Sequence, residues 1–220
     1  MTAEKTVRGA LAQRIQTAYE KTAGSMIQGL VYADDKQIGK TVYCLKTSKQ
    51  LYGTWDEVFK HFFFKVDHFC DFALDLAMRK VKVPLLVWDD AGFHAGSELW
   101  FYNRPAYWRL AKVIQTLGTV TQALLVNAPG LNDPTGALIA NRNLTIKITK
   151  LSSGSMRVAK GYASTTYPWG KKRELGDFED VFNVMLPNQI YARYLALRRD
   201  MVIEGLETFK KVAAKGGGKT

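Results

Sequence analysis

Leu30 to Thr41 reads LVYADDKQIGKT, an apolar run that breaks into a turn and closes on Gly39-Lys40-Thr41. This is the order of a buried strand, a phosphate-cradling loop and a helix start. Backbone N–H groups and the helix N-terminus face the phosphates, the lysine reaches the β and γ oxygens, and the hydroxyl binds magnesium. The predicted cradle is Asp34, Asp35, Lys36, Gln37, Ile38, Gly39, Lys40 and Thr41. The P-loop pattern begins with a glycine five positions before Gly39, and this chain has Asp34 there, with Asp35 beside it. Two acids repel a triphosphate unless they point outward or meet Lys36. Gly218-Lys219-Thr220 repeats the tripeptide with neither a strand before it nor a helix after it, so it is no P-loop.

Outward from the loop, Val83 to Asp90 (VPLLVWDD) is too apolar to alternate, as in a central parallel strand covered on both faces. It ends in two carboxylates. Asp89 is placed to hold magnesium together with Thr41, and Asp90 to polarise the attacking water. Without a ligand, an Asp-Asp pair after a strand is an Asx turn. Gln122 to Asn127 (QALLVN) is another buried strand, and Asn127 at its end is placed to contact the γ-phosphate or the water. The predicted catalytic set is Lys40, Asp90 and Asn127, with Thr41 and Asp89 as metal ligands and ATP and Mg2+ as cofactors. Arg104, Arg109 and Arg142 are cations that would serve as an arginine finger or lie on the surface.

The remaining pattern gives a leading helix over 4–22, a strand over 24–32, and a helix over 42–50. Thr54 caps a short helix at WDEVFK, HFFFKV is a strand, and 67–80 is a helix with Phe69, Phe72 and Leu76 on one face. Helices follow near 106–117 and 134–142. LTIKITKL and MRVAKGYA alternate about an SSGS turn, the signature of a β-hairpin with one wet face. YPWGKKRELG is read as a basic loop, VFNVML as a strand, and 187–215 as a long helix whose apolar positions recur every three or four residues. The fold class is therefore α/β: a P-loop NTPase-type, mainly parallel sheet with helices on both faces, extended by an antiparallel hairpin and a long C-terminal helix. The division expected is 1–143 for the core and 144–220 for the extension, in one globule.

The 220 residues carry 31 Lys and Arg against 20 Asp and Glu, a surplus of +11 that favours polyanionic partners. Trp169, Lys171, Lys172 and Arg173 combine an aromatic with three cations, able to stack on bases and neutralise phosphates. Cys44 and Cys70 form no framework and read as buried thiols, and the three histidines lack zinc spacing. No stretch is long enough for a membrane span and the N-terminus is no signal peptide. The expected location is cytoplasmic, in the host cytoplasm if the chain is viral.

YGTWDEVFKHFFFKVDHF, VPLLVWDDAGFH, ALLVNAP and LPNQIYARYLALRR together resemble P-loop ATPase-like proteins encoded by viruses and plasmids of crenarchaea. The resemblance runs from about Gly29 to Arg199, and its most specific part is Trp88-Asp89-Asp90-Ala91-Gly92. It implies a RecA-like or AAA+-like core and nucleotide hydrolysis linked to DNA handling in a mobile element, with Lys40, Thr41, Asp89 and Asp90 as the site. Asp34 departs from that group's glycine-rich loop. The expected function is an ATPase acting on DNA, with possible homo-oligomers. The rivals are a small P-loop kinase and a non-catalytic DNA- or protein-interaction module whose loop Asp34 has spoiled.

Overall fold

The computed structural model describes residues 9–21, 25–35, 38–91, 104–130, 142–152, 154–166 and 172–216. In chain order the elements are α1 (Ala10–Glu20), β1 (Ile27–Tyr32), α2 (Lys40–Tyr52), α3 (Trp55–Lys60), β2 (Phe62–Phe63), α4 (Val66–Met78) and β3 (Val83–Trp88). Then come α5 (Arg104–Thr116), β4 (Thr121–Asn127), β5 (Leu144–Lys150), β6 (Met156–Thr166), β7 (Lys172–Asn183) and α6 (Asn188–Gly216).

Seven strands form one sheet in the order β2-β3-β4-β1-β5-β6-β7. β2 through β5 pair in parallel, and β6 and β7 are added antiparallel. The sheet is a mainly parallel α/β sheet with an antiparallel extension, as its apolar and alternating runs predict. β3 explains why a central strand cannot alternate. Leu86 and Trp88 join Phe69, Ala73 and Leu76 of α4 and Leu110 and Ile114 of α5 in one core cluster. Leu85 and Val87, pointing to the opposite face, are equally buried, on the side where α1 and α2 contact β3. Trp88 stacks on Phe69 with ring centroids 5.3 Å apart.

Local signals account for several boundaries. Thr54 Oγ1 accepts from the Glu57 N–H at 3.3 Å, so the predicted cap of α3 is present. α1 has no such cap: Gly9 precedes it, and its first N–H groups donate instead to Asp180 of β7, Ala10 N at 2.6 Å and Leu11 N at 3.3 Å. Asp180 also accepts from the Tyr43 hydroxyl at 2.7 Å.

Two expectations are corrected. The KKRELG half of the predicted basic loop is strand from Lys172 onward, and β7 ends at Asn183 instead of running through VFNVML. Its residues are too polar and exposed to announce a strand, and their pairing with β6 along eleven positions makes it one. HFFFKV yields only the two-residue β2, because Val66 already starts α4. The helix predicted at 134–142 lies outside the described residues but for its last residue, Arg142, which is not helical. The described residues from 186 onward form a second compact unit containing α6, whose first turn is closed by Pro187 O accepting from Ile190 N and Tyr191 N.

Candidate phosphate and magnesium site

β1 delivers the chain to the end of the sheet, and Gly39 turns it into α2. Gly39 sits at φ 104°, ψ 17°, a conformation glycine adopts freely and other residues do not. A Cβ at this position would lie 2.6 Å from Val184 Cγ1, so the turn also needs an absent side chain. The Gly39 carbonyl accepts from Tyr43 N at 3.0 Å, closing the first turn of α2. Lys40 is the first helical residue and Thr41 the second.

Parallel pairing brings the ends of β3 and β4 beside this helix start. Trp88 of β3 pairs with Val126 of β4, and Val31 of β1 with Asn127, which fixes Asp89 and Asn127 at the same level. Asp89 is fully buried and Asn127 nearly so. The Thr41 hydroxyl lies 3.1 and 3.2 Å from the two Asp89 carboxylate oxygens. The Asn127 amide donates to Thr41 Oγ1 at 3.0 Å and to Asp89 Oδ1. Residues 48 and 86 positions from Thr41 in sequence thus converge on one hydroxyl. Asn127 Oδ1 is left buried with no partner, an arrangement that costs free energy unless a ligand or water supplies a donor.

Burial of Asp89 reaches its neighbours. Burial pushes the Cys44 thiol well above its ordinary range, and the nearby Asp89 charge adds to the rise. Cys44 is therefore an inert core thiol, while Cys70 is only half-buried. Asp90 follows Asp89 at φ 49°, one of two non-glycine residues with positive φ among the described residues. Such a left-handed turn, tolerated by Asp, redirects the chain directly after the buried carboxylate.

Asp34 occupies the glycine position of the loop pattern, and its carboxylate is held 2.6 Å from Lys147 Nζ of β5. This ion pair joins the loop to a strand 113 residues away, aligned by the β1–β5 register in which Tyr32 faces Lys147. The bond to Asp34 holds the Lys147 ammonium above its ordinary pKa. Asp35 is exposed, Ile38 is buried, and Lys36 and Gln37 lie outside the described residues. Two further residues escaped sequence reasoning because their roles depend on strand pairing. Arg157 of β6, itself buried, donates from Nε to the Ile38 carbonyl at 2.9 Å, and Val184 presses on Gly39.

Arg142 donates to Thr145 Oγ1 at 3.3 Å and lies 3.9 Å from Glu174. Arg109 is exposed on α5, as is Arg104. Trp169 and Lys171 fall outside the described residues, and Lys172 and Arg173 open β7.

The donor set suits a hard cation. Thr41 and Asp89 offer oxygens, and the orphaned Asn127 Oδ1 offers an acceptor to a bound water. Among the described residues no group of three His, Cys, Asp or Glu side chains forms a metal cage.

A strand, a Gly-Lys-Thr turn, a helix and, one strand removed across β4, a parallel strand followed by a buried aspartate have the layout of a P-loop fold. No family model matches the chain. A protein similar to it is the uncharacterized protein ORF286 of Acidianus two-tailed virus, 21% identical over 136 residues, or 61% of this chain and 47% of that protein. The chain thus spans about half the length of this relative. Two solved structures superpose in part. One is the N-terminal domain of zonular occludens toxin from Neisseria meningitidis, with TM-score 0.42 and 15% identity over 76% of this chain and 98% of that one. The other is the KaiC-like protein PH0186 from Pyrococcus horikoshii OT3, with TM-score 0.37 and 12% identity over 67% and 89%.

Proposed function

We propose that the chain is a magnesium-dependent ATPase. The observation that carries this reading is the meeting of Thr41, Asp89 and Asn127 at the start of α2, with one amide oxygen buried and unpartnered. In this reading the Gly39 turn and the N-terminus of α2 receive the β- and γ-phosphates, and Lys40 pairs with their oxygens. Thr41 and Asp89 hold magnesium, whose charge offsets that developing on the phosphates. Asp90 accepts a proton from the attacking water, and Asn127 orients that water or the γ-phosphate. The surplus of +11 supports coupling of hydrolysis to DNA handling, with Trp169, Lys171, Lys172 and Arg173 as the contact, in a viral or plasmid-borne homo-oligomer working in the host cytoplasm. Among the described residues no helix is long and apolar enough to cross a membrane.

The test is ATP hydrolysis with magnesium by the wild type and Lys40→Ala, each with and without DNA. Activity that vanishes in the variant and rises with DNA supports the reading. Wild-type protein that neither hydrolyses nor binds ATP refutes it, and leaves the degenerate-loop module that Asp34 suggests.

A further inference from the structure

The β6–β7 pair grips the loop-to-helix turn from behind. Val184 packs where a Gly39 side chain would be, Lys46 of α2 donates to the Asn183 carbonyl at 2.5 Å, and Arg157 reaches the Ile38 carbonyl. Arg157 is the costly member of the three. Its guanidinium is buried, and three of its hydrogen bonds go to main-chain carbonyls: Ile38 at 2.9 Å, Gly154 at 2.7 Å and Met156 at 2.8 Å. Desolvating a cation is expensive, and an apolar side chain would hold two strands at lower cost.

The position of the bond to Ile38 gives that charge a use. The Ile38–Gly39 peptide is trans, as all peptides among the described residues are. In a trans peptide the carbonyl and the following N–H point in opposite directions. Holding Ile38 C=O on Arg157 therefore turns the Gly39 N–H away from the hairpin. A cation on the carbonyl also polarises the peptide and makes that N–H a stronger donor.

We infer that Arg157 is a positioning residue of the phosphate site: it fixes the Ile38–Gly39 peptide so that the Gly39 N–H is aimed at a bound phosphate before ligand arrives. The inference rests on the phosphate-site reading above and adds the residue that pre-organises it. It also makes the β5–β6 hairpin part of the site, since the same guanidinium bonds the Gly154 and Met156 carbonyls at its turn.

The test titrates the full chain, Arg157→Met, Arg157→Lys and Lys40→Ala with magnesium pyrophosphate by calorimetry. This probe carries no base, so base preference does not enter. Far-UV circular dichroism at the temperature of the titration verifies the native fold. Arg157→Met is expected to bind about tenfold more weakly, the value of one hydrogen bond to a charged group. Arg157→Lys keeps the charge but loses the forked donor, and should recover at most a part of that loss. A folded Arg157→Met with wild-type affinity overturns the inference and leaves the phosphate site standing. Wild-type protein that does not bind the probe overturns both. If neither variant folds, hydrogen exchange on the wild type decides: pyrophosphate should slow exchange at 154–158 as well as at 38–43, and an unchanged hairpin overturns the proposal.

Discussion

Replacing Gly39 with alanine tests whether the loop geometry is as tight as described. Two penalties combine. The backbone at φ 104° is disfavoured for any residue with a Cβ, by about 1–2 kcal/mol. The new methyl would lie 2.6 Å from Val184 Cγ1, and forcing a methyl into a filled space costs about 1–3 kcal/mol. Gly39→Ala should therefore lose roughly 2–5 kcal/mol in urea unfolding followed by tryptophan fluorescence, in which buried Trp88 reports the core. A double-mutant cycle separates the parts. Val184→Ala removes the clash without touching φ, so the two substitutions together should be less destabilising than their sum by about 1–3 kcal/mol. A single variant within about 0.5 kcal/mol of wild type would refute both penalties. A cycle with no coupling would refute the contact alone.

Three more outcomes are expected. Asp180→Ala removes the acceptor of two α1 N–H groups and of the Tyr43 hydroxyl, and should destabilise by about 2–4 kcal/mol in the same assay. Lys147→Gln exposes the Asp34 charge. With Asp34 exposed and Lys147 only half-buried, the loss should change stability by under about 1 kcal/mol, yet weaken magnesium ATP by roughly threefold or more in calorimetry, while Asp34→Gly, which frees Lys147, tightens it. Burial holds the His61 imidazole below its ordinary pKa, with the ring stacked 4.2 Å from Tyr52. The unfolded chain then takes up the proton first as pH falls, so this contribution to stability is complete above about pH 6.5 and is lost below it. The melting temperature should drop across that window, and His61→Phe should flatten the drop.

What the sequence makes legible are the elements whose burial is written in their own residues. VPLLVW and QALLVN are apolar on both faces because helices cover both, and Gly39-Lys40-Thr41 stands between a strand and a helix as the motif requires. Thr41, Asp89 and Asn127 each end a recognisable run, and the fold brings their side chains together. The start of β7 is illegible because its alternation is hidden by charge: Glu174, Asp177 and Glu179 give no apolar rhythm, and pairing with β6 alone makes the strand. Lys147 and Arg157 escaped for a related reason. Each is an unremarkable cation in an alternating strand until register sets it against Asp34 or Ile38.

The Asp180 anchor of α1 has a consequence for synthesis. Leu11 and Ile15 are fully covered in the finished protein, but the carboxylate that caps their helix is translated about 170 residues later. At roughly 5–20 residues per second, α1 waits on the order of 10–30 s beyond the ribosome before its anchor is made. During that interval an uncapped apolar helix is a natural client for a chaperone. Ribosome-bound chains arrested before β7 should leave α1 open to protease, and chains arrested with β7 fully emerged should protect it.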